Sequence, residues 1–178
     1  MSKIALKKEL QKLTKEQLIE QILDLYDKNK SVKEFYEFYL NPTNEKDLFE
    51  KYKNVIVNEF YPIKGQYYNA KTRFSVCKKA ISDFKALSPS PELLADLMLC
   101  LAENACQFTH DYGDMWEGYY TSAENNFDAA LKFMSKHNLL DKFKSRAEQC
   151  MKWAEDCGWG FCDSIPDIFY EYYEDEDE

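Results

Sequence analysis

Glycine and proline are scarce in this sequence of 178 residues. It contains five of each, where average usage would give roughly twenty in total. Because these residue types form most tight turns, a chain with so few of them is expected to have few turns and long regular elements. Strand signals are also thin, since the apolar run VIV at 55–57 lies inside a helical pattern. The sequence therefore predicts an all-α protein.

Long apolar runs and familiar catalytic motifs are missing as well. No stretch reaches 18 consecutive apolar residues, so no membrane span is predicted. The N-terminal residues lack a signal-peptide pattern, and the six cysteines of this Lys-rich chain are expected to be reduced thiols in a cytoplasmic protein. Neither a phosphate-binding glycine loop nor a G-x-S-x-G elbow occurs, and no cofactor is expected.

Charge is distributed unevenly along the chain. The net charge is −9, yet residues 1–85 carry +5 and residues 86–178 carry −14. The acidic balance argues against general binding to nucleic acid and to anionic membranes. The last residues, 174–178, are all acidic. They repel one another, and we expect them to form a disordered tail.

Hydrophobic periodicity predicts about eight helices. Thr14 and Gln17 have capping-box spacing, and Ser90 is followed by Pro91 in the first helical position. The helix after Pro91 is apolar around most of its circumference, which predicts a central position. Short connections favour antiparallel helical hairpins, stacked as an irregular α-α superhelix or a bundle. We expect one helical domain over 1–173, in which residues 1–42 can form an N-terminal helical appendage.

Several local expectations depend on single residues. Ser31 and Asn44 are expected to cap helices, and every proline is expected at a helix beginning or end. A helix is predicted from about Ala70 to Leu87. Another is predicted from Met115, and the spacing of Trp116 with the apolar residues that follow predicts a core position for its ring.

The stretch CQFTHDYGDMWEGYY combines a thiol, an imidazole, carboxylates and aromatics. With neighbouring acids it suggests a metal site formed by Glu103, His110, Asp114 and Glu124, whose donors suit a hard or borderline divalent ion that activates water. No acid precedes His110 by three positions, as the Glu-x-x-His pair of di-iron bundles requires. Solvent-facing polar positions on amphipathic helices are the favoured interpretation, and a metal-dependent enzyme is the alternative.

Cysteine chemistry is not indicated by the spacing. Structural zinc sites usually contain two pairs of ligands, each separated by two to four residues, and a single gap of that length occurs here, between Cys157 and Cys162. Cys150 and Cys157 share an apolar helix face, where free cysteine behaves as a small buried hydrophobe. With two histidines in the chain, a nucleophilic cysteine is not favoured either.

A basic helix face provides a weaker alternative, contact with nucleic acid. Its residues are Lys71, Arg73, Lys78, Lys79 and Lys85. Because they alternate regularly with a core stripe, a solvated face is the favoured explanation, and nucleic acid is not an expected partner.

Aromatic runs point instead to a protein partner. A lone helix cannot bury aromatics on every side, and exposed tyrosines beside acids are typical of protein-binding surfaces. The candidates for partner contact are Tyr36, Tyr39, Tyr119 and Tyr120. The favoured function is a non-enzymatic helical module for protein interaction or scaffolding, whose partner is another protein or a second copy in a homo-oligomer.

Two stretches, KKELQKLTKEQLIEQILDLYDKNKSVKEFYEFYLNP and KKAISDFKALSPSPELLADLML, resemble an uncharacterised bacterial family. It is the domain-of-unknown-function family number 6155, frequent in Bacteroidetes. The resemblance covers nearly the whole chain up to the acidic tail. The family has no established activity, so the resemblance implies a bacterial, cytoplasmic origin and a single unit, and assigns no catalytic residue.

Overall fold

A computed structural model describes residues 1–40, 45–62 and 69–173, and these ranges contain nine α-helices and no β-strand. The helices are α1 (Lys3–Leu10), α2 (Lys15–Lys28), α3 (Lys30–Leu40), α4 (Glu45–Phe60), α5 (Phe74–Ala86), α6 (Pro91–Tyr112), α7 (Glu117–Lys136), α8 (Leu140–Ala154) and α9 (Phe161–Tyr173). The all-α prediction is confirmed, with one helix more than the approximate eight. Among the described helices, none has the length and apolar character that a membrane span requires.

The contacts of the chain define two units, Met1–Asn44 and Glu45–Glu178. The division lies close to residue 42, where the sequence places the end of an N-terminal appendage. The expected cap at Asn44 and the expected disordered tail at 174–178 lie outside the described residues.

The first unit contains α1, α2 and α3, of which α2 and α3 pack together. The capping box of α2 is confirmed: the hydroxyl of Thr14 accepts from the Gln17 N–H at 3.2 Å, and the Gln17 side chain accepts from the Thr14 N–H at 2.9 Å. The expected cap at Ser31 is wrong. The side-chain oxygen of Asn29 accepts from the Ser31 N–H, and α3 begins at Lys30.

The second unit is built around α6. This helix begins as predicted, with the Ser90 hydroxyl accepting from the Leu93 N–H and Pro91 in the first position. Eleven of its 22 residues are buried, and it packs against α4, α5, α7 and α8. The central position predicted from its apolar circumference is therefore confirmed.

Four helices of the second unit form a bundle. Helices α7 and α8 both pack against α6. Helix α9 packs against α7 and against α8. Helices α4 and α5 pack against each other and against α6. Because α7 and α8 are consecutive yet contact each other little, the arrangement is a bundle rather than a stack of consecutive hairpins.

Some predicted boundaries are wrong. Helix α5 begins at Phe74 rather than near Ala70, because the N–H groups of Lys71 and Thr72 donate to the carbonyl of Glu59 at the end of α4. Helix α7 begins at Glu117, two residues after the predicted start. Pro166 lies inside α9 instead of at its end. Its missing N–H leaves the carbonyl four residues earlier without a helical donor.

Candidate functional site

The four tyrosines predicted to contact a partner lie in different environments. Tyr39 in α3 is exposed, and Tyr36 is half-buried. Tyr119 and Tyr120 in α7 are buried, and the hydroxyl of Tyr119 donates to the carbonyl of Ala105 at 2.9 Å. Their assignment as partner contacts is wrong, because they belong to the core. Contact by Tyr36 and Tyr39 stays a prediction.

The four residues of the metal alternative do not converge. Among the described residues, no group of three or more His, Cys, Asp or Glu side chains is arranged to hold a metal ion. Glu103 binds an arginine of α8, and Asp114 accepts hydrogen bonds from the backbone and a tyrosine. His110 is exposed, with its Nδ1 3.0 Å from Asp111 Oδ1, and Glu124 is half-buried in α7. The predicted set is therefore divided among separate roles.

Arg146 explains the position of Glu103. Its Nε and Nη2 donate to the two carboxylate oxygens of Glu103 at 2.7 and 2.6 Å, and its Nη1 donates to Asp96 at 2.6 Å. The bonds with Glu103, and secondarily those with Asp96, raise the pKa of the Arg146 guanidinium. A bidentate pair of this kind fixes α8 against α6 and occupies the carboxylate that a metal would need.

The basic residues before α5 are partly neutralised. Arg73 donates from Nε and Nη2 to the carboxylate of Glu59 at 2.9 and 2.6 Å. These bonds hold the pKa of the Glu59 carboxyl below its ordinary value. Arg73 and Lys71 both precede α5, so they do not belong to the basic helix face that the sequence predicted.

Within α5, the remaining basic residues lie on the surface. Lys79 forms an ion pair with Asp83 four residues later, and Lys78 and Lys85 are exposed. Such pairs are typical of a solvated helix face. Nucleic-acid contact by this face stays the weaker alternative.

One end of the second unit carries two exposed tryptophans. Trp116 directly precedes the first residue of α7 and is 60% exposed. Trp159 lies in the loop between α8 and α9 and is 71% exposed. The predicted core position of Trp116 is therefore wrong. Tryptophan is the residue type most enriched at the energetically dominant positions of protein interfaces. We call these two residues together with Asp111, Glu117 and Asp156 the tryptophan surface.

A hydrogen-bond network around Asp114 holds the two tryptophan-bearing loops together. Asp114 Oδ1 accepts from the N–H of Gly158 and from the hydroxyl of Tyr120, both at 2.8 Å. The Tyr120 oxygen in turn accepts from the Met115 N–H at 3.1 Å and lies 2.9 Å from the Thr109 hydroxyl. The Gly158 bond, followed by the Tyr120 bond, lowers the pKa of Asp114. The network fixes the backbone one residue from each tryptophan, at the N–H of Gly158 and at the N–H of Met115.

The loop that carries Trp159 has a strained backbone. Trp159 has φ +58°, and Gly160 follows with φ +76°. A bulky residue with positive φ is a conformational outlier, and such strain costs about 1–3 kcal/mol and is found most often at functional sites. A Cβ on Gly158 would lie 2.8 Å from Asp114 Oδ2, so a residue with a side chain cannot make the same approach. Local packing thus holds an exposed tryptophan in a costly conformation.

The sequence segments that carry the tryptophans are acidic. Residues 111–117 and residues 155–163 each contain three acids and neither Lys nor Arg. Glu117 and Asp156 are exposed, whereas the carboxylate of Asp111 accepts from the Tyr61 hydroxyl at 2.9 Å and lies 3.0 Å from the ring of His110. Grouped charges of one sign create a potential that attracts groups of the opposite sign.

The sequence contains a signal for this surface that periodicity does not detect. Trp159 lies between two glycines, in GWG, so it cannot belong to a regular helix face. Trp116 follows the helical spacing of α7 but precedes its first turn, where a ring is free to leave the core. Position relative to the helix end decides its exposure.

Most of the cysteines are buried. Cys77, Cys100, Cys106, Cys150 and Cys157 are buried as free thiols, and Cys162 is half-buried. Burial, as the largest effect, raises the pKa of both Cys77 and Cys100 to about 12. A thiol is nucleophilic as the thiolate, so these two are inert at neutral pH.

A family model matches residues 1–170, nearly the whole chain, and it is described as a family of unknown function (DUF6155). The chain therefore belongs to this family. No curated protein and no solved structure matches it.

Proposed function

We propose that the protein is a non-enzymatic interaction module that binds a basic segment of another protein at the tryptophan surface. The observation that carries the proposal is the strained, exposed position of Trp159, fixed beside the Trp116 loop by the bond between Asp114 and Gly158. A loop whose backbone is already fixed loses little conformational entropy when a partner covers it.

The chemistry of the surface selects the partner class. Guanidinium and ammonium groups bind over the face of tryptophan, with about 0.5–2 kcal/mol for each contact depending on desolvation. Six carboxylates within residues 111–117 and 155–163 add long-range attraction. Such attraction raises the association rate and makes binding sensitive to salt. A Lys- or Arg-rich protein segment satisfies both features.

The metal-dependent enzyme has weaker support, because Glu103 and Asp114 already accept strong hydrogen bonds from Arg146, Tyr120 and Gly158. A cytoplasmic location remains part of the proposal, because the chain is Lys-rich and its six cysteines show no spacing typical of a small disulfide-bonded domain.

Affinity enrichment with matched variants tests the proposal. The full chain is immobilised and exposed to lysate of the organism that encodes it, beside the double variant Trp116→Ala/Trp159→Asn. Tyr170→Ala is the control, because Tyr170 is also an exposed aromatic but lies on α9. We expect one dominant protein whose recovery falls at least about 10-fold with the double variant and is unchanged with the control.

The purified partner then defines the chemistry. Its dissociation constant for the full chain should rise with ionic strength, and its binding segment should contain Lys or Arg. Equal recovery by the wild type and the double variant would refute the proposal. Stoichiometric metal in untagged protein would revive the enzymatic alternative, and salt-sensitive retention on a polyanion would favour nucleic acid.

A further inference from the structure

The first unit exposes apolar side chains on each of its helices. None of residues 1–40 is buried. Ile4 on α1 is 73% exposed, Leu23 on α2 is 57% exposed, and Leu40 at the end of α3 is exposed as well. A unit of about 40 residues without a buried side chain has no core of its own, and units of that size usually need further stabilisation, often by oligomerisation.

Helix α1 and the beginning of α2 form an apolar groove of about 650 Å³ within this unit. The groove contains two basic side chains among its apolar ones. Its lining residues are Lys3, Ile4, Leu6, Lys7, Leu10, Gln11 and Leu18. A complementary ligand is an apolar helix face bordered by carboxylates.

Helix α2 has such a face on its other edge. Glu16, Glu20, Asp24 and Asp27 follow one another at steps of four, four and three residues, so they form one stripe along the helix. Leu23 borders this stripe and is exposed. The acidic edge of α2 therefore combines an apolar side chain with carboxylates, of which Asp24 is paired with Lys28 of the same helix.

Over residues 1–27 of the first unit, basic and acidic residues are segregated along the chain. Residues 1–15 contain five lysines and one glutamate, whereas residues 16–27 contain four acids and neither Lys nor Arg. The net charges of the two segments, +4 and −4, are equal and opposite. A surface of this kind is complementary to itself when two copies meet around a two-fold axis.

We infer that a second copy of this chain occupies the groove. In the dimer, α2 of each copy inserts Ile19 and Leu23 into the α1 groove of the other, and its acidic stripe meets Lys3 and Lys7. Both contacts occur twice, as in an isologous interface. The inference does not depend on the tryptophan surface, which belongs to the second unit.

Complementary charge reversal in the full chain tests the dimer. Sedimentation equilibrium over a concentration series should give a mass of twice the 21.1 kDa of one chain. The variants Lys3→Glu/Lys7→Glu and Glu20→Lys/Asp27→Lys should each raise the dimer dissociation constant at least about 100-fold, because like charges then face each other. An equimolar mixture of the two variants should dimerise again, because opposite charges are restored.

Lys8→Glu/Lys15→Glu is the matched control, since it makes the same change of charge in the same segment at residues that do not line the groove. It should dimerise like the wild type, and circular dichroism should show equal helicity for all variants. A monomeric wild-type chain would overturn the inference, as would a dimer that both reversals leave intact or a mixture that stays monomeric. Binding of a monomeric chain to anionic vesicles through Lys3 and Lys7 would overturn it in favour of a membrane surface.

Discussion

Asp114 and Gly158, which are 44 residues apart in the chain, are joined by a 2.8 Å hydrogen bond from the Gly158 N–H to Asp114 Oδ1. The bond connects the loop before α7 with the loop after α8, and these loops carry the two exposed tryptophans. The same carboxylate accepts from Tyr120, a core residue. The proposed binding surface is thus attached directly to the packed interior of the bundle.

Two glycine substitutions at this end should have opposite effects on stability. Gly158→Ala places a Cβ 2.8 Å from Asp114 Oδ2, so the carboxylate must move and the loop bond is weakened. Gly118 lies in α7, and a Cβ there would be 3.5 Å from the Trp116 ring, an ordinary van der Waals contact. Gly118→Ala should therefore stabilise the protein by about 0.5–1 kcal/mol, because alanine has a higher helix propensity than glycine. Thermal unfolding should show a lower melting temperature for the first variant and a higher one for the second.

Asp114 should make stability depend on pH in the acidic range. Its pKa in the folded protein lies below the ordinary 3.8, because the Gly158 N–H and the Tyr120 hydroxyl donate to the charged form. The charged carboxylate of Asp114 therefore stabilises the fold fully above the pKa that it has in the unfolded chain. This stabilisation is lost as pH falls through its lower pKa in the folded protein. The difference in unfolding free energy between the wild type and Asp114→Asn should shrink as pH falls below about 4.

Asp156→Asn provides the control for that measurement, because it removes an exposed carboxylate from the same end of the unit. The difference in unfolding free energy between the wild type and Asp156→Asn should change less over the same pH range. An Asp114→Asn difference that does not vary with pH would contradict the role of the charged carboxylate.

Relief of strain at Trp159 should increase stability and reduce partner binding. Asn adopts positive φ more readily than Trp, and the side chain of Trp159 is largely exposed, so Trp159→Asn loses little packing. We expect the free energy of unfolding to rise by about 0.5–1 kcal/mol. Trp116 has a negative φ, so Trp116→Ala relieves no strain. It should reduce partner binding without raising the free energy of unfolding. Denaturant unfolding and partner affinity measured on both variants would separate the two effects.

Loss of Arg146 should destabilise the second unit. Arg146→Ala leaves the carboxylates of Asp96 and Glu103 close together and without their cation. We expect the free energy of unfolding to fall by about 2 kcal/mol, less than for a fully buried pair because the side chains are partly hydrated. Lys142→Ala, which removes an exposed ion pair with Glu92, should change it by at most about 0.5 kcal/mol. Equal losses for the two variants would contradict the structural role of Arg146.

Local sequence signals predicted local structure well. The reciprocal bonds of Thr14 and Gln17 and the start of α6 at Ser90 and Pro91 depend on residues within a few positions of each other, so spacing alone identifies them. The burial of α6 was also predictable, because a helix that is apolar on most sides has to be covered on most sides.

Properties decided by distant residues could not be read from the sequence. Tyr119 and Tyr120 are buried because α6 and α9 cover them: Ala105 accepts from one hydroxyl, and Phe161 packs on the other ring at 4.6 Å. The separation of the four residues of the metal alternative has the same origin, since the partner of Glu103 is an arginine 43 residues later. Helix spacing cannot identify such partners.

The central position of α6 has a consequence for how the second unit comes apart. Four neighbouring helices cover this helix, so its middle turns become accessible to water when those contacts are lost together. The amide protons of Leu99 and Ala102 should therefore exchange with solvent deuterium through the global opening of the unit, and their exchange rates report its free energy of unfolding directly.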